Sequence, residues 1–123
     1  MKYVVLDTNF ILSCIRKKID FVDKIKMMGL KIFVPVEVKE ELASLMKNSM
    51  RKTQEEAKIA NSLLNKNQFQ EVNLNTKNVD NGIVILAQEH PEYIIATLDR
   101  GIQERIKNYK LIIRGQRDIE LSE

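Results

Sequence analysis

Residues 3–9 read Tyr-Val-Val-Leu-Asp-Thr-Asn, and this stretch decides how the rest of the chain is interpreted. Its apolar residues do not alternate with polar ones, which is typical of a strand buried on both faces of a parallel sheet. A second stretch of the same character, residues 93–99, reads Tyr-Ile-Ile-Ala-Thr-Leu-Asp. Asp7 and Asp99 therefore come where two buried strands end. In open α/β sheets the functional crevice lies at the carboxyl ends of the strands.

Composition indicates an ordinary globular protein. The chain has 123 residues, of which 44% are hydrophobic and 30% charged, so we expect one domain with a sizeable core. The net charge of +3 permits a polyanionic partner without requiring one. The single cysteine, Cys14, excludes an intramolecular disulfide and favours a reducing compartment. Because no leader and no apolar run of about 20 residues is visible, we expect a cytoplasmic protein with no membrane partner.

Strand and helix patterns alternate along the chain. Strands are predicted at 2–6, 31–34, 69–72, 93–97 and 110–113, and helices beginning near residues 9, 20, 35, 53, 79 and 100. The polar, basic segment 47–53 is predicted to be a loop or a helix break. The sequence therefore predicts an α/β fold, a three-layer α/β/α sandwich around a mainly parallel sheet of about five strands. The expected domain covers 1–117, and 118–123 would be a polar C-terminal tail.

Two further acids lie beside apolar helical stripes. Asp80 is followed at helical spacing by Ile83 and Val84, so its side chain is expected at the edge of the buried face. Glu41 has Val38 three residues before it and Leu45 four residues after it. A carboxylate in such a position is costly unless it is paired, hydrogen-bonded or bound to a metal ion.

Each of these acids also has an ordinary structural interpretation. Asp7 and Asp99 can serve as N-caps of the helices that follow them. Asp80 can stabilise its helix through the macrodipole, and Glu41 can pair with a surface lysine. Taken together, however, the four acids have no basic partner at equivalent positions, and the predicted topology brings them to one crevice. The pattern therefore favours a shared site over four unrelated surface charges.

A cluster of carboxylates suits metal-assisted hydrolysis of a phosphodiester. Hard oxygen ligands without histidine or cysteine favour Mg²⁺ or Mn²⁺ over zinc. Such ions activate a water molecule and stabilise the leaving oxygen, so neither a histidine base nor a covalent nucleophile is needed. Asn9 is a candidate for orienting Asp7 or a bound water. Thr97, two residues before Asp99 on the same side of the strand, is a candidate for hydrogen bonding to the carboxylates.

Four segments in order resemble the motifs of the PIN-domain nuclease family. Asp7-Thr8-Asn9 resembles the opening signature, and residues 34–42 resemble the second motif, in which Glu41, before a leucine, corresponds to the metal-site acid. Asp80-Asn81-Gly82-Ile83 is similar to the third motif and residues 96–100 to the fourth. The resemblance implies a PIN-like fold and an endoribonuclease in which Asp7, Glu41, Asp80 and Asp99 bind Mg²⁺ or Mn²⁺. Each motif is weak alone, whereas four in order are specific.

Within this family, residues 96–106 and 111–115 resemble the archaeal and eukaryotic branch that processes ribosomal RNA. That branch often has two adjacent aspartates in the third motif, whereas this chain has Asn81 at the second position. The resemblance implies an RNA substrate, such as a ribosomal RNA precursor. A homodimer is compatible with it, with Met27 and Met28 as core packing or as a contact face between copies.

Several basic residues are candidate RNA contacts. Arg100 and Arg105 follow the fourth motif, and Arg51 and Lys52 lie in the segment predicted as a loop. Phosphate contacts of this kind position a nucleic acid without reading its sequence. For Arg51 and Lys52, ordinary solvation of a surface charge is an equally good interpretation.

Three other functions remain open at this point. A VapC-type toxin ribonuclease would share the chemistry and would require an antitoxin. A non-catalytic PIN scaffold would bind RNA or protein, although the presence of all four acids counts against it. A phosphoacceptor domain using Asp7 as the nucleophile is disfavoured because phosphatases of that type have aspartate where this chain has Asn9.

Overall fold

A computed structural model describes residues 2–67 and 69–123. Its helices and strands alternate as the sequence predicts. In chain order they are β1 (Tyr3–Leu6), α1 (Thr8–Arg16), α2 (Phe21–Met27), β2 (Lys31–Pro35), α3 (Val36–Asn48), α4 (Arg51–Lys66), β3 (Gln70–Val72), α5 (Val79–Glu89), β4 (Ile94–Ala96), α6 (Arg100–Arg105), β5 (Lys110–Arg114) and β6 (Asp118–Ser122).

Within the described residues the strands form one six-stranded sheet in the order β3-β2-β1-β4-β5-β6. The first five strands pair in parallel, and β6 pairs antiparallel with β5. In the central pairs, Val4 lies opposite Ile32 of β2 and Ile94 of β4. The chain leaves β1 toward β2 and later returns to β4 on the other side of β1. The carboxyl end of β1 is therefore the topological switch point of the sheet.

Alternation along β1 divides the core into two layers. Val4 and Leu6 pack into the larger cluster with residues of α1 to α4, whereas Val5 packs with residues of α5 and α6. Both faces of β1 are fully buried, which explains why its sequence shows no polar alternation. The α/β/α sandwich with a mainly parallel sheet is thus confirmed.

The C-terminal residues differ from the prediction. Residues 118–123 were predicted as a polar tail, but Asp118–Ser122 forms the edge strand β6, in which Ile119 is buried against the sheet. This strand is the sixth, where the sequence predicts about five. Its polar residues are tolerated because one face and one edge of the strand remain open to solvent.

The segment 47–53, predicted to be a loop or a helix break, contains a helix break. Helix α3 continues to Asn48, and α4 begins at Arg51, so only Ser49 and Met50 separate the two helices. The backbone there is extended at both residues, which turns the chain between two helices that pack against each other. The polar composition of the segment reflects exposed helix faces rather than a long loop, because the residues before and after the turn are exposed residues of α3 and α4.

Across the described residues, none of the helices combines the length and the apolar character that a bilayer crossing requires.

Candidate functional site

Asp7 occupies the residue between the end of β1 and the start of α1. Its side chain is 3% exposed, and it caps α1, because its Oδ1 accepts a hydrogen bond of 2.8 Å from Thr8 N. The Asp7 backbone N–H donates to the Ala96 carbonyl oxygen at 3.0 Å, which continues the pairing of β1 with β4. The carboxylate is thereby fixed at the switch point, between the two central strands.

Thr97 links the two strand-end aspartates. Its Oγ1 donates to Asp7 Oδ2 at 2.8 Å and accepts a hydrogen bond of 3.1 Å from Asp99 N. The threonine is completely buried, and Gln103 Nε2 donates to its carbonyl oxygen at 2.9 Å. This network holds the turn after β4 in register with Asp7. Gln103 carried no motif signal, since a contact from side chain to backbone leaves no pattern in the sequence.

Asp99 caps α6 in the way that Asp7 caps α1. Its Oδ1 accepts a hydrogen bond of 3.2 Å from Ile102 N. Gly101 lies against this carboxylate, because a Cβ built at Gly101 would come 3.0 Å from Asp99 Oδ1. A larger residue at position 101 would crowd the carboxylate, so the glycine leaves room for Asp99.

The remaining two acids lie near the same carboxyl ends of the strands, on the helices that cover the two faces of the sheet. Asp80 is the second residue of α5, and Glu41 lies in α3, which begins where β2 ends. Both side chains are exposed, and both line an open cavity of about 480 Å³ together with Lys77. The structure therefore brings the four carboxylates to one end of the sheet, with Asp7 the most buried among them.

The charges of these carboxylates act on one another. Burial raises the pKa of Asp7 to about 6, and the negative charges of Asp80 and Glu41 add to the shift. The hydrogen bonds from Thr97 and Thr8 oppose the shift by stabilising the ionised form. Loss of water around the carboxyl, followed by the charges of Asp99 and Glu41, also raises the pKa of Asp80, and Arg105 lowers it. Mutual repulsion of this kind is what a bound cation would relieve.

The donor chemistry of the four carboxylates fits a hard divalent cation. All available donors are oxygen atoms, as Mg²⁺ and Mn²⁺ prefer. As the side chains lie, no group of three or more described Asp, Glu, His or Cys residues is arranged to hold an ion.

A loop over residues 73–78 forms one wall of the crevice, although no pattern in the sequence indicated it. Glu37 holds this loop, because its Oε1 and Oε2 accept hydrogen bonds of 3.1 Å each from Leu74 N and Asn75 N. Asn75 has a φ of +56°, a conformation that asparagine tolerates better than most residues. The loop brings Lys77 to the crevice, where it lines a cavity with Glu41 and Asp80.

The supporting residues have different positions. Thr97 bonds to Asp7 as expected, whereas Asn9 is exposed and forms no hydrogen bond with Asp7 in the described part of the chain. Arg105 lies beside the crevice, where its Nη1 donates to Asn81 Oδ1 at 3.0 Å. Arg100 directly follows Asp99 and is exposed.

The two basic residues assigned to a loop lie in the first turn of α4. Arg51 pairs with Glu55 on the same helix, with 3.4 Å between Nε and Oε1. The charge of Lys52 acts on Glu56, which Arg16 of α1 binds through two hydrogen bonds of 3.0 Å. The intrahelical contacts of Arg51 and Lys52 favour the interpretation as ordinary surface charges.

Comparison with protein families agrees with this fold and arrangement. Residues 4–117 match the model of the PIN-like domain family. Because the match spans most of the chain, the protein belongs to the PIN-like domain family.

Two relatives extend over nearly the whole chain. The protein is 24% identical over 127 residues to Ribonuclease VapC4 of Methanocaldococcus jannaschii, a match covering 98% of this chain and 97% of the relative. Its fold matches that of the PIN domain endonuclease Utp24 with a TM-score of 0.76 at 23% identity, over 98% of this chain and 90% of the other. The second match concerns the fold alone.

Proposed function

We propose that this protein is a divalent-metal-dependent endoribonuclease whose ion is bound by Asp7, Glu41, Asp80 and Asp99. The observation that carries the proposal is the convergence of four carboxylates, with raised pKa values at Asp7 and Asp80, at the switch point of the sheet. Membership of the PIN-like family supports it. So does the name of one relative, Ribonuclease VapC4.

The bound ion, the carboxylates and the neighbouring basic residues would have different roles in cleavage. When bound, Mg²⁺ or Mn²⁺ supplies a polarised water and neutralises charge on the phosphodiester. Asp7 has a fixed carboxylate, since Thr8 N and Thr97 Oγ1 each bond to one of its oxygens. Arg100, Arg105 and Lys77 lie around the carboxylates and would attract the phosphates of an incoming RNA strand, which the acids alone would repel.

The proposed role is processing of a ribosomal RNA precursor in the cytoplasm. This follows from the resemblance of residues 96–106 and 111–115 to the ribosomal RNA-processing branch. The similarity to Ribonuclease VapC4 favours a second role, that of a toxin partnered by an antitoxin. A short adjacent reading frame with a DNA-binding pattern, and growth arrest on expression relieved by its product, would select the toxin role.

The test is cleavage of single-stranded RNA by the purified protein in Mn²⁺ or Mg²⁺, with and without EDTA. The substitutions Asp7→Asn, Glu41→Gln, Asp80→Asn and Asp99→Asn should each lower the rate by more than the roughly 10- to 100-fold typical of losing a residue that only orients a metal ligand. Glu89→Gln, at the exposed last residue of α5 and outside the lining of the crevice, is the matched control and should cleave at the rate of the unmodified protein.

Thr97 distinguishes a positioning role from a structural one. Thr97→Val removes the hydroxyl that bonds to Asp7, so it should lower kcat about 10- to 100-fold. Thr97→Ser keeps the hydroxyl and should restore most of the rate. Activity that survives EDTA, or that is unchanged in the Asp7→Asn variant, would exclude the proposed mechanism. If the protein cleaves no single-stranded RNA in Mn²⁺ or Mg²⁺, the non-catalytic scaffold is the alternative.

A further inference from the structure

An open cavity of about 690 Å³ lies at the amino ends of the strands, opposite the end of the sheet that carries the carboxylates. Its lining comes from the ends of α2 and α4 and from the first residues of β2 and β3, which are parallel strands and therefore begin at the same edge. The carboxylate crevice lies at the other end of these strands. At about 3.3 Å per residue, the length of β2 places the two sites more than 10 Å apart.

The cavity combines positive charge with an apolar floor. Three lysines line it, namely Lys26, Lys31 and Lys66, and no acidic residue is among its lining residues. None of the three forms an ion pair with a residue that the structure describes. The apolar side chains of Leu30, Ile32 and Phe69 line the same cavity. Three ammonium groups around one cavity repel each other, and a bound anion would relieve this repulsion.

The helix ends do not account for these lysines. Lysines in a last helical turn often compensate the unpaired carbonyls there. At the end of α2, however, Gly29 N and Leu30 N already donate to the carbonyls of Lys26 and Ile25. At the end of α4, Asn67 bonds to the carbonyls of Leu63 and Leu64 through its side chain and backbone.

The side chains at the cavity are also held in relation to one another. Lys26 Nζ donates to Asn67 Oδ1 at 3.2 Å, which joins the end of α2 to the end of α4. Lys31 belongs to a strand, so no helix dipole explains its position. A fourth lysine, Lys39, lies 5.2 Å from the centre of the Phe69 ring but pairs with Glu71. Its charge is therefore compensated, in contrast to the charges of the three lining lysines.

We propose that this cavity binds a nucleotide unit, with its phosphate among Lys26, Lys31 and Lys66 and its base against the apolar floor that includes Phe69. Cations bind the phosphate, and an aromatic ring supports a base of any sequence. A volume of this order accommodates such a ligand. The nucleotide unit can belong to an RNA strand or to a free mononucleotide. The site does not depend on the carboxylates and would exist without catalytic activity.

The test is an NMR titration of the ¹⁵N-labelled full-length protein in EDTA, so that no strand is cleaved. The probes are adenosine monophosphate, a short oligouridylate, and adenosine without phosphate. We expect saturable shifts of the backbone amides of Asn67, Phe69 and Gln70 with at least one phosphate-containing probe. Shifts with the oligouridylate alone assign the site to an RNA strand, and shifts with the monophosphate assign it to a free nucleotide.

Charge-reversing substitutions complete the test. Lys31→Glu and Lys66→Glu should each weaken binding about fivefold or more, because each replaces an attraction to phosphate by a repulsion. Lys58→Glu is the matched control, since Lys58 is an exposed residue of α4 outside the cavity, and it should leave the affinity within about twofold. Three results would overturn the proposal: no saturable shift at these amides, equal binding of adenosine, or an equal loss in the Lys58→Glu variant.

Discussion

Asp7 shows that a helix cap and a functional carboxylate need not be alternatives. One oxygen of its side chain accepts from Thr8 N, as a cap does, and the other accepts from Thr97 Oγ1, across the space between two strands. Both interpretations of the sequence therefore apply to the same side chain. Capping fixes the position of the carboxylate, but burying its negative charge still costs free energy.

The raised pKa of Asp7 predicts a specific effect of pH on stability. Because the folded protein binds the proton of Asp7 more tightly than the unfolded chain, Asp7 favours folding at acidic pH and opposes it as pH rises through about 6. The shift of about two units corresponds to about 3 kcal/mol at neutral pH as an upper limit. Asp7→Asn removes this buried charge, but the amide can accept only one of the two hydrogen bonds that the carboxylate accepts. The substitution should therefore stabilise the metal-free protein at pH 7 by about 1–2 kcal/mol, less than the upper limit.

The measurement is urea unfolding of both proteins in EDTA between pH 4 and pH 7. The stabilisation by Asp7→Asn should shrink as pH falls toward 4, because the folded protein then keeps the Asp7 proton while Asp7 in the unfolded chain, with its ordinary pKa of 3.8, is only partly ionised. Added Mg²⁺ should stabilise the unmodified protein more than the Asp7→Asn variant, because only the native state would bind the ion. A difference that is constant across this pH range would show that Asp7 carries no buried charge.

At the scale of single elements, the crevice depends on the 73–78 loop as much as on the strands. Gly82, in the first turn of α5, is buried under this loop, and a Cβ there would come 2.7 Å from Thr76 Cγ2 and 2.8 Å from Leu74 Cβ. The glycine allows the loop to lie against α5, and Glu37 fixes it to α3. These two contacts hold the loop so that Lys77 lies beside Glu41 and Asp80.

Removing one of these contacts should loosen the loop without unfolding the protein. In the Glu37→Gln variant only one side-chain oxygen remains to accept a hydrogen bond, and the NH₂ group that replaces the other oxygen faces a backbone N–H of the loop. The loop should therefore lose about 1–2 kcal/mol of local stability. Hydrogen exchange of the Leu74 and Asn75 amides should accelerate by roughly 5- to 30-fold. If Lys77 contacts RNA, KM should rise more than kcat falls.

Glu40→Gln is the control for this experiment, because Glu40 lines the same crevice but is not bonded to the loop. It should leave the exchange of both amides unchanged. Equal protection of the two amides in the Glu37→Gln protein would mean that the loop is held by its own turns rather than by Glu37.

The elements differ in how well the sequence could predict them. Helix α5 begins at residue 79, as predicted, since its apolar spacing is regular. The two buried strands followed from their uninterrupted apolar runs. The roles of Glu37 and Lys77 could not be predicted, because they depend on a contact between residues nearly forty positions apart. The four motif acids could be named from the sequence, but their mutual repulsion required the fold.

At the scale of the whole molecule, the sheet places its buried strands at the centre and a more polar strand at one edge. β1 and β4 are buried on both faces, whereas β6 has a buried residue at Ile119 between exposed and half-buried neighbours. That weaker pattern is why the sequence predicted a tail for residues 118–123. Lys24 of α2 also forms an ion pair with Asp118, with 3.3 Å between Nζ and Oδ1.

If β6 is part of the sheet, removing residues 118–123 should destabilise the whole protein. The deletion takes away the burial of Ile119, worth about 2 kcal/mol, and leaves the backbone groups of β5 without partners, so we expect a loss of about 2–4 kcal/mol in unfolding free energy.

Urea unfolding followed by circular dichroism measures this loss as a lower midpoint. Deleting only Glu123, which lies beyond the strand, should leave the midpoint nearly unchanged. A solvated tail could be removed at no cost, so an unchanged midpoint after the longer deletion would contradict the six-stranded sheet. The carboxylates lie at the other side of β5, around β1 and β4, and a folded truncated protein should therefore keep any metal-dependent cleavage that the full chain shows.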